Sequence, residues 1–212
     1  MKHHLFVIGL LGALLLPVRT SAQVSDAERI YAEAQKALAT GDLDGALQKF
    51  EQLSRANPKI AEVHATMGAI RFQKGDFTGA LKELDQAKQL KPSLPKIDGL
   101  IAMSQSELGN YKEALPNLEE AFRTAEDVPV KRLSGLQLER AYTAVGQDRN
   151  AVALALELQA LFPDDPEVLY HNERIFGNFA YLTVKKLTEV APNSIWRHQA
   201  LAGGMNKFVL QF

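Results

Sequence analysis

The chain has 212 residues, with 24 basic and 25 acidic side chains and no cysteine. A formal charge of −1 gives no electrostatic case for nucleic acid or an anionic membrane surface, since both call for a basic patch. Without cysteine the chain forms no disulfide, offers no thiolate and takes no lipid on an N-terminal cysteine.

Residues 1–22 read as a leader and not as part of a fold. Met1-Lys2-His3-His4 is a short basic start, residues 5–16 are almost wholly apolar, and Thr20 and Ala22 put small side chains three and one places before Gln23. This predicts a secretory signal peptide cleaved before Gln23, leaving an exported protein that is periplasmic or secreted. The apolar run is shorter than the roughly 20 helical residues that cross a bilayer. No stable membrane span is therefore expected after cleavage, and a retained anchor is the alternative.

After a polar lead-in at residues 23–26, the chain repeats a pattern seen most clearly in residues 61–94. Val63, Met67 and Ile70 are spaced by threes and fours, as on one face of a helix. Lys74-Gly75-Asp76 interrupts them, with a glycine suited to a left-handed C-cap and an aspartate suited to an N-cap. Phe77, Ala80, Leu81, Leu84, Ala87 and Leu90 then resume the helical spacing until Pro92 stops it. The prediction is an antiparallel helical hairpin. Gly41, Gly75 and Gly109 lie 34 apart, as do Ala46, Ala80 and Ala114. Repeats are thus expected at about 27–60, 61–94 and 95–128. A fourth, 132–165, is displaced by three residues and carries Glu139 where a small residue is expected. A degenerate fifth repeat occupies 166–194. Its only turn signal is Gly177-Asn178, read as a compact hairpin in preference to one kinked helix. An incomplete sixth unit spans 195–202, and 203–212 is expected to be an irregular tail. The whole repeat domain spans 23–202.

A 34-residue period of two helices and a turn, with Gly68, Ala80, Ala87 and Pro92 at the eighth, twentieth, twenty-seventh and thirty-second places, resembles the tetratricopeptide repeat. Close approach explains the small residues: where two helices cross, a larger side chain has no room. His64 and Arg71 stand where that family prefers Trp and Tyr. The resemblance implies an all-α, right-handed superhelical solenoid of antiparallel hairpins. It also implies a concave groove lined by the first helix of each hairpin, where relatives bind peptides. Carried over by position, the partner-binding residues are Tyr31, Gln35, Phe72, Gln73, Met103, Glu107, Arg140, Tyr170 and Arg174. Tyr31 and Gln35 occupy the first two places of the Lys/Asn clamp that some relatives use for a C-terminal carboxylate, so that mode is not expected.

Catalytic chemistry finds no footing in the sequence. His64 and His198 share a repeat position and are expected to pack at helix crossings, while His171 has Glu167 and Glu173 nearby but no metal-ligand spacing. Asp42-Leu43-Asp44-Gly45 lacks the later glutamate of a calcium loop, and Asp42 is better explained as a cap. There is no nucleophile elbow, phosphate-cradling loop or paired-carboxylate cleft. No catalytic residue, metal or cofactor is expected. The leading expectation is a non-catalytic exported scaffold that binds a protein or peptide segment. The alternatives are a truncated remnant of a longer exported repeat protein, or an accessory subunit of an envelope assembly or export complex.

Overall fold

A computed structural model describes residues 21–94 and 96–209, so residues 1–20 of the expected signal peptide lie outside the described residues. Among the described residues the regular structure is helical throughout. The helices are α1 (Ser21–Ala39), α2 (Leu43–Ala56), α3 (Ala61–Gln73), α4 (Phe77–Leu90), α5 (Ile97–Glu107), α6 (Tyr111–Thr124), α7 (Val128–Ala144), α8 (Asp148–Leu161), α9 (Pro166–Val190) and α10 (Ile195–Val209). The chain divides after Ala141 into two units.

In the first unit each hairpin turns on the residues that the spacing singles out. Gly41, Gly75 and Gly109 have φ of 76°, 77° and 83°, a left-handed conformation that costs glycine nothing and strains a residue with a Cβ. The next residue starts the second helix. The Asp42 and Asp76 carboxylates each accept from a backbone N–H three residues on, Gly45 and Gly79, at 2.9 Å. A Cβ at Gly45 or Gly79 would lie 2.2 or 2.1 Å from that same carboxylate, so the cap itself selects glycine three residues later. Asp42 is therefore a helix cap, and the faint calcium-loop pattern has this structural cause. At Asp76 the donated Gly79 N–H and the Arg71 guanidinium together hold the carboxyl below its usual range.

The hairpins α1–α2, α3–α4 and α5–α6 pack against one another in sequence, and α3 also touches α5. The small positions lie where the helices cross: Ala34, Ala46, Ala80, Ala87, Ala102 and Ala114 are fully buried. At Gly68 a Cβ would come within 2.6 Å of Leu84 Cγ. Phe50, Leu84 and Leu118, again 34 apart, put one large, fully buried side chain on each second helix. His64 sits at its crossing as expected. It is 6 % exposed, with Nδ1 at 2.8 Å from Glu83 Oε2 on α4 and Nε2 at 3.1 Å from the Pro58 carbonyl.

The second unit departs from the sequence expectation in three places. First, the fifth repeat is not a compact hairpin at Gly177: α9 is one helix of 25 residues. It starts firmly, with Pro166 in its first turn and the Asp165 carboxylate accepting from the N–H groups of Glu167 and Val168. It then runs through Gly177: a fold-back there would bring Tyr170 and Leu182, seven before and five after the glycine, to places that the first three repeats fill with glycine or alanine. Second, residues 203–209 are not irregular: α10 continues to Val209. The chain reverses instead at residues 191–194, where Ser194 Oγ accepts from the Arg197 N–H at 3.2 Å. Third, His198 is exposed, its ring nitrogen 2.8 Å from the carbonyl of Ser194, the residue before α10. It does not share the crossing role of His64, since its unit does not build that crossing. Within this unit α8 packs on α9, and α9 on α10.

Candidate protein-binding face

The sequence-predicted binding residues divide between the two units. In the first they lie on α1, α3, α5 and α7, the first helix of each repeat. Tyr31 is half-buried and meets Phe50 edge-on, centroids 6.2 Å apart. Phe72 meets Phe77, the first residue of the next helix, edge-on at 5.4 Å. Both aromatics are therefore partly structural, each presenting one edge. Gln35 and Gln73 are half-buried as well.

Met103 is placed differently from the expectation. It is 5 % exposed, on a helix whose Leu100, Ile101, Ala102 and Ser104 are buried too. Met103 lies within this buried stretch, where the flexible thioether fills space. Met103 is therefore packing and not an anchor for a partner.

Glu107 and Arg140 are brought together across α5 and α7. The Arg140 guanidinium donates to Glu107 Oε2 at 3.0 Å. The Gln137 amide donates to the other carboxylate oxygen, and Ser106 Oγ donates to Gln137 Oε1 at 2.8 Å. Gln137 and Ser106 are both buried, so this network is fixed on its inner side, while Arg140 keeps 40 % of its side chain exposed. Sequence reasoning missed Gln137. Its signal is faint: an amide at the sixth place of repeat four, one turn from Ser134 and Arg140 on the same helix face.

A second acid, on α3, is also matched within the protein. Glu62 pairs with Lys91 at 2.7 Å, and that ammonium holds the Glu62 carboxyl below its usual range. On this face Glu62 and Glu107 are thus each paired with a cation within the protein, beside aromatic edges, amides and the Arg140 guanidinium. Among the described residues no group of three His, Asp or Glu side chains is placed to hold a metal.

Tyr170 and Arg174 belong to the second unit. They form a pair of their own on α9, with the guanidinium carbon 5.8 Å from the ring centroid and the tyrosine 58 % exposed.

Hairpins repeated every 34 residues, small residues at each crossing and left-handed glycine at each turn define a helical-repeat protein. Residues 31–95 match the tetratricopeptide repeat family. Solved structures of similar fold include MamA residues 41-end from Desulfovibrio magneticus RS-1, with 19% identity, 87% of this chain and 94% of that chain covered, and a TM-score of 0.60. Another is YrrB, described as a TPR protein with an unusual peptide-binding site. It has 16% identity, with 85% of this chain and 94% of that chain covered, and a TM-score of 0.59. A third, MamA MSR-1, has 17% identity, covers 89% of this chain and 99% of that chain, and has a TM-score of 0.58. At these identities the likeness concerns the fold. A search among curated proteins finds no match.

Proposed function

We propose that this protein is a non-catalytic, exported scaffold that holds a segment of another protein against the first helices of its N-terminal unit. One observation carries the reading. The fixed network Ser106–Gln137–Glu107–Arg140 joins two consecutive first helices and leaves the Arg140 guanidinium partly exposed, at a position where relatives contact peptide. Half-buried Gln35 and Gln73 supply amides suited to an extended backbone, and Tyr31 and Phe72 supply apolar edges. The pairing of Glu62 and Glu107 argues for a segment chosen by shape and backbone contacts with one acidic group for Arg140, not for a highly charged tail. YrrB, with the same fold, has a peptide-binding site according to its description, which supports the reading by analogy. The signal-peptide pattern of residues 1–22 supports export, and with it a partner in the periplasm or outside the cell.

Selection of peptides from a random display library on the purified chain tests this. The expected result is an enriched family sharing one acidic position. Its binding should fall at least tenfold in the triple variant Gln35→Ala, Gln73→Ala, Arg140→Ala and stay unchanged in Lys82→Ala on α4, with both variants folded by circular dichroism. A hot-spot loss of ~2 kcal/mol or more is of that order. Equal binding by the triple variant and the parent would remove the face from consideration.

A further inference from the structure

One face of α9 packs on α8. Val168 and Asn172 are buried on it, and the Asn172 amide donates to the Ala155 carbonyl of α8 at 2.9 Å. The opposite face carries Tyr170, Arg174, Gly177, Asn178, Tyr181 and Lys185 at helical spacing, and all six are exposed. Tyr170 is 58 % and Tyr181 67 % exposed, although α10 also packs on α9. Gly177 forms a notch in the middle of this row. A Cβ added there would meet nothing within 4 Å, so no described neighbour in the chain calls for glycine, which a helix interior disfavours against alanine. Arg174 is held along the same face, its guanidinium carbon 5.8 Å from the Tyr170 ring centroid.

The row is complementary to its own reverse. When two copies of α9 lie antiparallel about a two-fold axis between Gly177 and Asn178, Arg174 of each comes opposite the partner's Tyr181. Tyr170 comes opposite the partner's Lys185, because the members of each pair stand equally far from the axis in sequence. Each cation then faces a ring and not another cation, an attraction that strengthens as water leaves. The two glycines meet beside the axis, where the backbones come closest. We propose that this protein forms a two-fold dimer through the outer face of α9, with Gly177 at the crossing. The charge and size pattern, matched to itself, is what assigns the face to a second copy. The contact involves the second unit alone, and its failure would leave peptide binding by the first unit untouched.

Sedimentation equilibrium of the purified chain over a range on the order of 1–100 μM reads the association. One helix pair buries less area than a permanent dimer does, so a reversible monomer–dimer equilibrium is expected in that range. Gly177→Leu fills the notch and Tyr181→Ala removes two of the four ring contacts. Each is expected to weaken the dimer at least tenfold, with the circular-dichroism signal of the parent, since Gly177 has open space around it and Tyr181 is largely exposed. The absence of cysteine allows a second readout. Under mild oxidation Asn178→Cys, beside the axis, is expected to give a covalent dimer. Glu173→Cys, exposed on another side of α9, is expected to stay monomeric. A monomer throughout the range, a dimer of unchanged strength in Gly177→Leu, or equal cross-linking of the two cysteines would each overturn the proposal.

Discussion

Replacing Glu139 with glutamine is expected to raise the melting temperature by several degrees or more at pH 7.5 and to leave it unchanged at pH 4. Glu139 stands at the eighth place of its repeat, where Ala34, Gly68 and Ala102 stand in the others, and its side chain is fully buried. Burial disfavours the charged form and pushes the carboxyl from 4.5 up to about 8. The sign follows from linkage. Below about pH 4.5 the group is protonated in the folded and unfolded chains alike, and it contributes no difference. As pH rises, the unfolded chain ionises first, so the folded state loses about 1.4 kcal/mol per pH unit until its own carboxyl ionises near pH 8. The cumulative cost is on the order of 3–5 kcal/mol. Glutamine keeps the shape and cannot ionise, so it removes the pH-dependent part. A chain of this size shifts by about 2–4 °C per kcal/mol. Melting curves of the two proteins at both pH values check this, and an equal gap at pH 4 and pH 7.5 would count against it.

The second large effect comes from a residue that looks innocuous. Ala80→Leu is expected to destabilise by ~1–3 kcal/mol, whereas Lys82→Leu two residues away should be nearly neutral. Ala80 is fully buried, and its carbonyl oxygen would lie only 3.2 Å from a Cβ added at Gly68 on the facing helix. The two backbones are already close, so a leucine there must push α3 and α4 apart or leave its preferred rotamer. Lys82 points to solvent. Denaturant titrations of the two variants separate the outcomes, and equal midpoints would contradict the crossing at Ala80.

Much of the fold was legible because the tetratricopeptide pattern is made of local necessities. A left-handed glycine, an aspartate cap and a small residue at a crossing each have a short-range cause, and each recurs at 34 residues. What the sequence concealed depends on tertiary surroundings. Gly177-Asn178 carries the same turn chemistry as the other repeats, yet α9 runs through it, since a turn signal closes a hairpin only when the facing side chains fit. Glu139 was visible as a misfit, but its burial was not. Met103 occupies a binding position by register, but it packs inward among Leu100, Ile101, Ala102 and Ser104. The pairing of Glu107 with Arg140 spans 33 residues of sequence, and no spacing rule joins them without the buried Gln137 between.

The proposed site holds its partner on the first helices of the N-terminal unit. Amide hydrogen exchange of the full chain, with and without a peptide obtained by display selection, reads this directly. Added protection is predicted at the exposed edges of α1, α3, α5 and α7, around Gln35, Gln73 and Arg140, with α2, α4 and α6 unchanged. Protection gathered on α2, α4 and α6, with the first helices unaffected, would contradict the account.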